Sequence, residues 1–325
     1  MNVLATGGAG YVGSHCVKLL RETGHTPVVF DNMSEGHEGA VSDCEVVRKD
    51  LRNEDAVRQA LRDYDIDGVM HFAASAYVGE SVEKPEKYYY NNVVNTLGLL
   101  AAMRQEGVDR LVFSGSCAVY GVPDELPIRE DFPFKPVSPY GRTKAAVEWI
   151  LEDYAEAYGL KYASLRYFNA AGAALDGSIG EDHDPETHLI PLVIKAALGQ
   201  RDKISIFGTD YPTEDGTCVR DYIHVMDLAT AHKMALESLE ANPVMTYNLG
   251  TGEGHSIREV ITAVEQVSGT QVPSEDAARR AGDPPALVAN AEKIQTELGW
   301  KPDYSLREIV ESAWQWHKEN PRGFE

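Results

Sequence analysis

The sequence is poor in cysteine, in positive charge and in long apolar runs. Its four cysteines, Cys16, Cys44, Cys117 and Cys218, stand far apart with no C-x-x-C pair. That spacing excludes a thiolate zinc cluster and a small disulfide framework, and predicts four reduced thiols used in packing. Only 30 Lys and Arg face 51 Asp and Glu, a formal charge of −21. Such a balance repels nucleic acid and acidic membrane surfaces, so neither is an expected partner, and an anionic ligand has to be held by a local arrangement. No apolar run reaches the roughly eighteen residues that a membrane span needs. Met1 to Ala5 run straight into Gly7 and Gly8, which leaves no stretch for a secretory signal, and the expected location is the cytoplasm. Internal repeats and low-complexity tracts are lacking too. What is present is 43% hydrophobic and 25% charged residues over 325 positions, enough for a large core in one large domain or two.

The first half repeats one unit: a short apolar run rich in β-branched or aromatic residues, a turn, then an amphipathic stretch of helical length. Val3-Leu4-Ala5, Val28-Val29-Phe30, Val46-Val47, Val69 to Phe72, Leu111-Val112-Phe113 and Tyr162 to Leu165 are the predicted strands. Alternation of this kind gives right-handed βαβ crossovers, hence an α/β fold with a doubly wound parallel sheet of Rossmann type. Beyond about residue 170 the rhythm loosens into polar Gly/Pro-bearing stretches, and a smaller C-terminal α/β domain is expected over 171–325. Ser256 to Glu259 and Ser305 to Glu308 read as capping boxes that open helices there. Met245 to Leu249 reads as a strand that returns to the first sheet, so the domain of residues 1–170 takes back segments from about 215–250.

Thr6-Gly7-Gly8-Ala9-Gly10-Tyr11-Val12-Gly13 lies between the first strand and a helix whose apolar residues Val12, Cys16 and Leu20 recur every four positions. Glycines let the chain turn tightly and approach a phosphate closely, while a helix N-terminus offers free N–H groups and a positive dipole end. A ligand-free tight turn has a similar pattern, but here the second strand ends in Asp31-Asn32, where a carboxylate meets ribose hydroxyls and repels a 2′-phosphate. The reading is a dinucleotide turn for NAD. Asp50-Leu51, after the third strand, is placed to face the adenine or is a plain loop acid and its neighbour.

The fifth strand ends in Phe113-Ser114-Gly115-Ser116, and Ser138-Pro139-Tyr140-Gly141-Arg142-Thr143-Lys144 opens a later helix. Tyr140 and Lys144, four residues apart, share a helix face. A phenol is a poor base at neutral pH, and an ammonium group beside it favours the phenolate; a nicotinamide cation acts in the same direction. Ser116 is placed to hydrogen-bond a substrate hydroxyl and relay its proton. Singly, each of these is also an ordinary surface or capping residue, and it is the combination with the glycine turn that selects catalysis.

With these motifs, together with His71-Phe72-Ala73-Ala74, Val78 to Ser81, Tyr88 to Asn92, Arg166 to Asn169, Tyr211 to Thr217 and Val219 to Val225, essentially the whole chain resembles the extended short-chain dehydrogenase/reductases, and most closely their UDP-glucose 4-epimerase branch. The resemblance implies a retained NAD contacted by Gly7, Gly10, Tyr11, Val12, Gly13, Asp31, Asn32, Asp50, Leu51, Phe72, Ala73, Ala74, Asn91, Ser114, Tyr140, Lys144 and Tyr167. It implies Tyr140 as the base at the sugar 4-hydroxyl, with Ser116 and Lys144 in support, for the UDP-glucose/UDP-galactose interconversion of galactose metabolism. The UDP-hexose is expected at Ser116, Tyr140, Asn169, Leu189, Phe207, Arg220, Tyr222, Arg280, Asp283 and Leu287. Two arginines are chemically apt for a diphosphate. A homodimer is implied as well, with Tyr88 to Met103 and Val147 to Tyr158 as candidate surfaces.

Some positions depart from that pattern. Ala76 stands where some members carry lysine, Gly115 where a serine is common, Thr187-His188 where a pair of asparagines occurs, and Leu287 where a tyrosine narrows the pocket. A smaller residue at the last position suits an N-acetyl group, and UDP-N-acetylhexosamines or UDP-pentoses remain alternative substrates. A dehydratase or decarboxylase needs an extra acid after the serine. The stretch Ser116-Cys117-Ala118-Val119-Tyr120 has none. A non-catalytic NAD or UDP-sugar binder would be expected to have lost Tyr140, Lys144 or Ser116, and all three are present. Asp182-His183-Asp184 are adjacent and not at ligand spacing, so a solvated loop is predicted and no metal site.

Overall fold

A computed structural model describes residues 1–280 and 283–325. Strands β1 (Asn2–Thr6), β2 (Thr26–Asp31), β3 (Glu45–Arg48), β4 (Gly68–His71), β5 (Arg110–Ser114) and β6 (Lys161–Tyr167) alternate with helices α1 (Tyr11–Glu22), α2 (Glu54–Asp63), α3 (Val78–Glu83), α4 (Pro85–Tyr88), α5 (Asn95–Glu106) and α6 (Pro139–Tyr158). After β7 (Asn169–Ala171) come α7 (Leu189–Ala197), β8 (Ile204–Phe207), β9 (Val219–His224), α8 (Val225–Ser238) and β10 (Val244–Leu249). The chain ends with β11 (Gly254–Ser256), α9 (Ile257–Ser268), β12 (Ser274–Ala277), β13 (Ala286–Leu287), α10 (Glu292–Leu298) and α11 (Leu306–Glu319).

The main sheet has seven parallel strands in the order β10-β6-β5-β4-β1-β2-β3. From β1 the chain winds outward through β2 to β3, then crosses back to β4 and winds the other way. The winding direction reverses between β1 and β4, and in open α/β sheets the crevice beyond the strand ends at such a reversal is where ligands bind. Burial on both faces explains the continuous apolar character of the strands: Val3, Leu4, Ala5, Val69, Met70, Leu111 and Val112 are fully buried. Two cores result. One lies under α1 and α8 around Val3, Leu20, Ile223 and Leu236, and the other under α2, α5 and α6 around Leu4, Phe30, Leu99 and Leu151.

The expected return strand is β10, whose Val244 to Leu249 run in register with Tyr162 to Tyr167 of β6. The second group of elements has a core of its own, formed by Ile190, Ile194, Ile206, Val260, Val264, Ile309 and Val310 from α7, α9, α11 and β8. Beside it, β9 pairs with β7, β11 and β13, and β12 pairs with β8. Both predicted capping boxes form. Ser256 and Ser305 accept from the backbone N–H of Glu259 and Glu308, and each glutamate reaches back to its serine's N–H. Asp221, buried in β9, joins the two groups by accepting from the backbone of Thr251, Gly252 and Ala289. All four cysteines are free thiols, and no described helix is long and apolar enough to cross a membrane.

The stretch Asp182-His183-Asp184 corrects a prediction. It is solvated only at Asp184: Asp182 and His183 are half-buried, because the chain folds inward at Glu181, which is 3% exposed, and His183 stands beside Glu181, Glu186 and His188.

Candidate active site

The glycine turn packs directly on the end of β4. At Gly7, with φ of +70°, an added Cβ would stand 2.4 Å from the Ala73 nitrogen, and at Gly13 it would stand 2.4 Å from the Gly7 oxygen. Neither position admits a side chain. Phe72 and Ala73 both donate their backbone N–H to the Thr6 carbonyl, at 2.8 and 2.9 Å, which draws the loop after β4 across the turn. Helix α1 starts at Gly10 without a capping side chain and with no acidic residue in its first turn. Its leading amides around Tyr11, Val12 and Gly13 are therefore available to an anion.

Asp31, at the end of β2, fits the ribose end of such a ligand. Its carboxylate accepts from the N–H of Ala9 at 3.0 Å and of Met33 at 2.8 Å, and burial raises its pKa. Asn32 donates to Asp50 at 2.8 Å. The Asp50 carboxyl is held well below the usual range, chiefly by the Arg52 side chain. The structure thus brings Asp31, Asn32 and Asp50 to one edge, whereas the Leu51 side chain turns into the core with Leu4 and Phe30. Any ligand contact by Leu51 is made by its backbone. Val12 packs beside the core under α1 and α8, and Ala74 is half-buried. Tyr11 leaves the turn, and its hydroxyl donates to the Gly172 carbonyl at 2.7 Å.

Ser138 caps α6 by accepting from the Gly141 N–H at 3.1 Å, Pro139 sits in the first turn, and the next residue is Tyr140. The Lys144 ammonium donates to the Ser114 carbonyl at 2.8 Å, 4.9 Å from the Phe113 ring centroid and 5.9 Å from that of Tyr140. The Ser114 hydroxyl donates to the Tyr167 hydroxyl at 3.2 Å. Ser116 caps the single turn Cys117–Val119, accepting from Ala118 at 3.2 Å. Tyr140, Lys144, Ser114 and Ser116 are all buried, and Tyr167 is half-buried.

From the sequence, the ammonium of Lys144 is expected to favour the Tyr140 phenolate, with a nicotinamide cation acting in the same direction; in the chain by itself burial outweighs the ammonium. Burial raises the phenol well above its ordinary pKa, with Ser116 acting in the opposite direction, and burial lowers Lys144 to about 8. Desolvation penalises both charged forms, so the phenol of the chain by itself stays neutral.

Asn92, named from the sequence only as the end of the run Tyr88 to Asn92, has no role assigned there. Its side chain accepts from the Ser75 N–H at 2.8 Å and donates to the Ser75 carbonyl and to Thr143, each at 3.0 Å. Thr143 in turn donates to the Tyr140 carbonyl at 2.7 Å. Asn92 thus ties the loop after β4 to the helix that carries Tyr140. It sits in a π-helical stretch, Tyr89–Val94, whose wider turn redirects side chains off the α-helical period. Asn91 donates to Ser75 at 3.2 Å in the same stretch.

The residues expected around the uridine diphosphate lie on the second group of elements. Asn169 of β7 is in register with Tyr222 of β9, and Arg220 of β9 with Leu287 of β13. Arg220 is ion-paired with Asp283, and the Arg280 guanidinium lies 4.0 Å over the Phe207 ring. Leu189 opens α7. Leu287 packs against the cluster of Val119, Tyr120 and Phe168, as Cys117 does.

Residues 3–250 match the NAD dependent epimerase/dehydratase family. The UDP-glucose 4-epimerase of Halalkalibacterium halodurans is 52% identical, over 100% of this chain and 98% of its own length. The crystal structure of UDP-glucose 4-epimerase from Brucella ovis in complex with NAD superposes with a TM-score of 0.94 at 51% identity, covering 96% of this chain and 97% of that one. The UDP-glucose 4-epimerase of Bifidobacterium longum in complex with NAD+ and UDP gives 0.95 at 39% identity, covering 99% and 100%. With a family match over most of the length, and relatives of this similarity end to end, the chain belongs to the NAD dependent epimerase/dehydratase family.

Proposed function

We propose that the chain is an NAD-dependent UDP-glucose 4-epimerase, an isomerase that interconverts UDP-glucose and UDP-galactose through a 4-keto sugar in galactose metabolism. The observation that carries this reading is the gathering of Tyr140, Lys144 and Ser116 at the C-terminal end of β5, on the same sheet edge as the glycine turn. The uncapped α1 N-terminus, the side-chain-free turn and the fixed Asp31 carboxylate suit NAD, with Asn32, Asp50, Phe72 to Ala74, Asn91, Ser114 and Tyr167 around it. When bound, NAD supplies the oxidation at C4 and the return of hydride to the other face.

The chain's own part is to hold the sugar and move one proton. Ionised once the positive charge of bound NAD stands beside it together with Lys144, Tyr140 takes the proton of the 4-hydroxyl and gives it back, and Ser116 hydrogen-bonds that hydroxyl. Lys144, fixed by the Ser114 carbonyl, sets the charge around the phenol. Burial of all three excludes bulk water, which keeps a keto intermediate from exchanging protons. No carboxyl group stands at Cys117 to Tyr120, which supports epimerisation over dehydration. Arg220, released from Asp283, and Arg280 supply charge for the diphosphate, with Asn169, Leu189, Phe207, Tyr222 and Asp283 around the nucleotide. We divide the chain into a cofactor part, residues 1–170 with return segments from about 215–250, and a UDP-sugar part over 171–325. The exposed Tyr90, Val94, Leu97 and Trp149 on adjoining helical segments suit a homodimer face, and the expected location is the cytoplasm.

Leu287 favours a second substrate class, the UDP-N-acetylhexosamines, because its half-buried side chain leaves more room than a tyrosine would. Purified protein, given no NAD, is incubated with UDP-galactose and separately with UDP-N-acetylgalactosamine, and the 4-epimers are followed by chromatography. Conversion of UDP-galactose is expected. Failure of both, with and without added NAD, overturns the assignment.

A further inference from the structure

Apart from the sheet edge, the described residues hold a cluster of metal-ligating side chains that the epimerase chemistry does not use. Glu181, His183, Glu186 and His188 each direct one donor atom into a common space, and the four atoms lie within 4.8 Å of one another. The His183 Nδ1 stands 3.2 Å from Glu181 Oε1 and 3.7 Å from Glu186 Oε2; the His188 Nδ1 stands 2.8 Å from Glu181 Oε1 and 3.0 Å from Glu186 Oε1. Donors bound at about 2.0–2.2 Å around a tetrahedral ion are separated by about 3.3–3.6 Å, so the observed separations bracket that spacing.

The orientation is as telling as the distance. Glu181 Oε1, His183 Nδ1 and Glu186 Oε2 are buried and have no hydrogen-bond partner, although imidazole and carboxylate are in reach of one another. Glu186 Oε1 is already engaged, accepting from the Thr187 and His188 N–H groups at 2.7 Å and lying 3.0 Å from His188 Nδ1, so the free donors that face the shared space are Glu181 Oε1, His183 Nδ1 and Glu186 Oε2. An orphaned carboxylate oxygen on a side chain only 3% exposed is costly. Two carboxylates with two neutral imidazoles carry a charge of −2, which a divalent cation cancels. Mixed nitrogen and oxygen donors suit zinc and its neighbours in the transition series better than calcium or magnesium.

We propose that Glu181, His183, Glu186 and His188 form a binding site for one divalent transition-metal cation of zinc type. With four protein donors the site is closed, which marks it as structural and not catalytic. Its place in the fold gives it a purpose. The rings of Tyr11, from the glycine turn, and Tyr77 stand edge-on to His183 at 6.1 and 6.2 Å, while His188 is the residue that precedes α7. The cation fixes the irregular segment between β7 and α7 against the cofactor turn, and so fixes the start of α7 where Leu189 lies.

The competing arrangement of the same groups is a metal-free network of protonated imidazoles and carboxylates. Full-length protein is stripped with a chelator, dialysed, and titrated with Co2+ and Zn2+, with bound metal counted by mass spectrometry and the Co2+ d–d absorption recorded. One cation per chain, with a visible band of tetrahedral intensity, is expected for the wild type. Glu181→Gln and His183→Asn should each weaken binding by about 100-fold or more. Zinc should raise the wild-type Tm by about 5 °C at saturating metal and leave the variants unmoved. No tetrahedral band in the wild type, or variants that bind as the wild type does, overturns the site. If a variant fails to fold, the wild-type band decides alone: tetrahedral intensity supports the proposal, and the weak octahedral spectrum of adventitious surface binding rejects it.

Discussion

Helix α6 and the segment 181–188 both concentrate ionisable groups in buried surroundings, and opposite forces govern them. On α6, burial prevails: Tyr140 is raised and Lys144 is lowered to about 8, each toward its neutral form. In the segment 181–188 without a bound cation, burial also acts to lower His183 and His188, yet the facing Glu181 and Glu186 carboxylates hold them up at about 9 and about 10, and a cation would have to displace those protons. Desolvation therefore decides the charge state where a group lacks an opposite charge beside it, and mutual charge decides it where one is in contact. On the proposed function, the Tyr140 phenol becomes a base only when cofactor charge joins Lys144 beside it. A fixed structural cluster tolerates mutual charge.

Acid offers the largest test of the desolvation side. His15 and His232 are lowered to about 4, and His71 and His224 to about 3, each chiefly by burial. Their folded-state values lie below the unfolded value of about 6.5, so the stability they contribute is present above that pH and is lost as pH falls toward 4. The limiting slope for four such groups is about 5 kcal/mol per pH unit. Asp227, raised to about 6, and Asp31, Glu130 and Asp221, also raised by burial, oppose part of the loss at the acid end of that range. Denaturant melts between pH 7 and 4 should show the decline; constant stability would mean that these rings are not held neutral by burial.

Tyr140→Phe should lower turnover by about 1,000-fold and leave Tm nearly unchanged, since it removes the proton carrier and little volume. Turnover close to wild type, measured by chromatography of the epimers, would remove Tyr140 from the mechanism. Lys144→Met should cost about 100-fold and move the pH–rate profile toward higher pH, because it removes the one buried ammonium beside the phenol. An unmoved profile would show that Tyr140 is set by burial alone. The smallest effect belongs to Leu287→Tyr, expected to impair UDP-N-acetylgalactosamine about 10-fold more than UDP-galactose, in line with one extra group filling a pocket. Equal impairment of both would show that this position does not gate the sugar.

The fold was legible because its signals are local and periodic. Apolar runs with β-branched residues became β1 to β6, Met245 to Leu249 became the returning β10, and Ser256 and Ser305 opened helices where their capping boxes indicate. The Tyr140 and Lys144 pair was legible for the same reason, since a helix turns four positions onto one face. The segment 181–188 was not: its ligand-type residues are spaced by irregular backbone, and no sequence period says that they converge. Asn92 escaped because a π-helical stretch breaks the count from which faces are inferred. The Arg220–Asp283 pair and the stacking of Arg280 on Phe207 join residues 63 and 73 positions apart, and such contacts follow only from the assembled sheets.

The order of the strands also bears on synthesis. The edge of β6 is complete at Tyr167, but β10, which covers it, begins only at Val244. At about 5–20 residues per second, a ribosome needs roughly 4–15 s to add the intervening stretch, and over that interval a parallel strand edge stands open on the nascent chain. The main sheet cannot close until β7, α7, β8, β9 and α8 have been made, which exposes this edge to chaperones during translation.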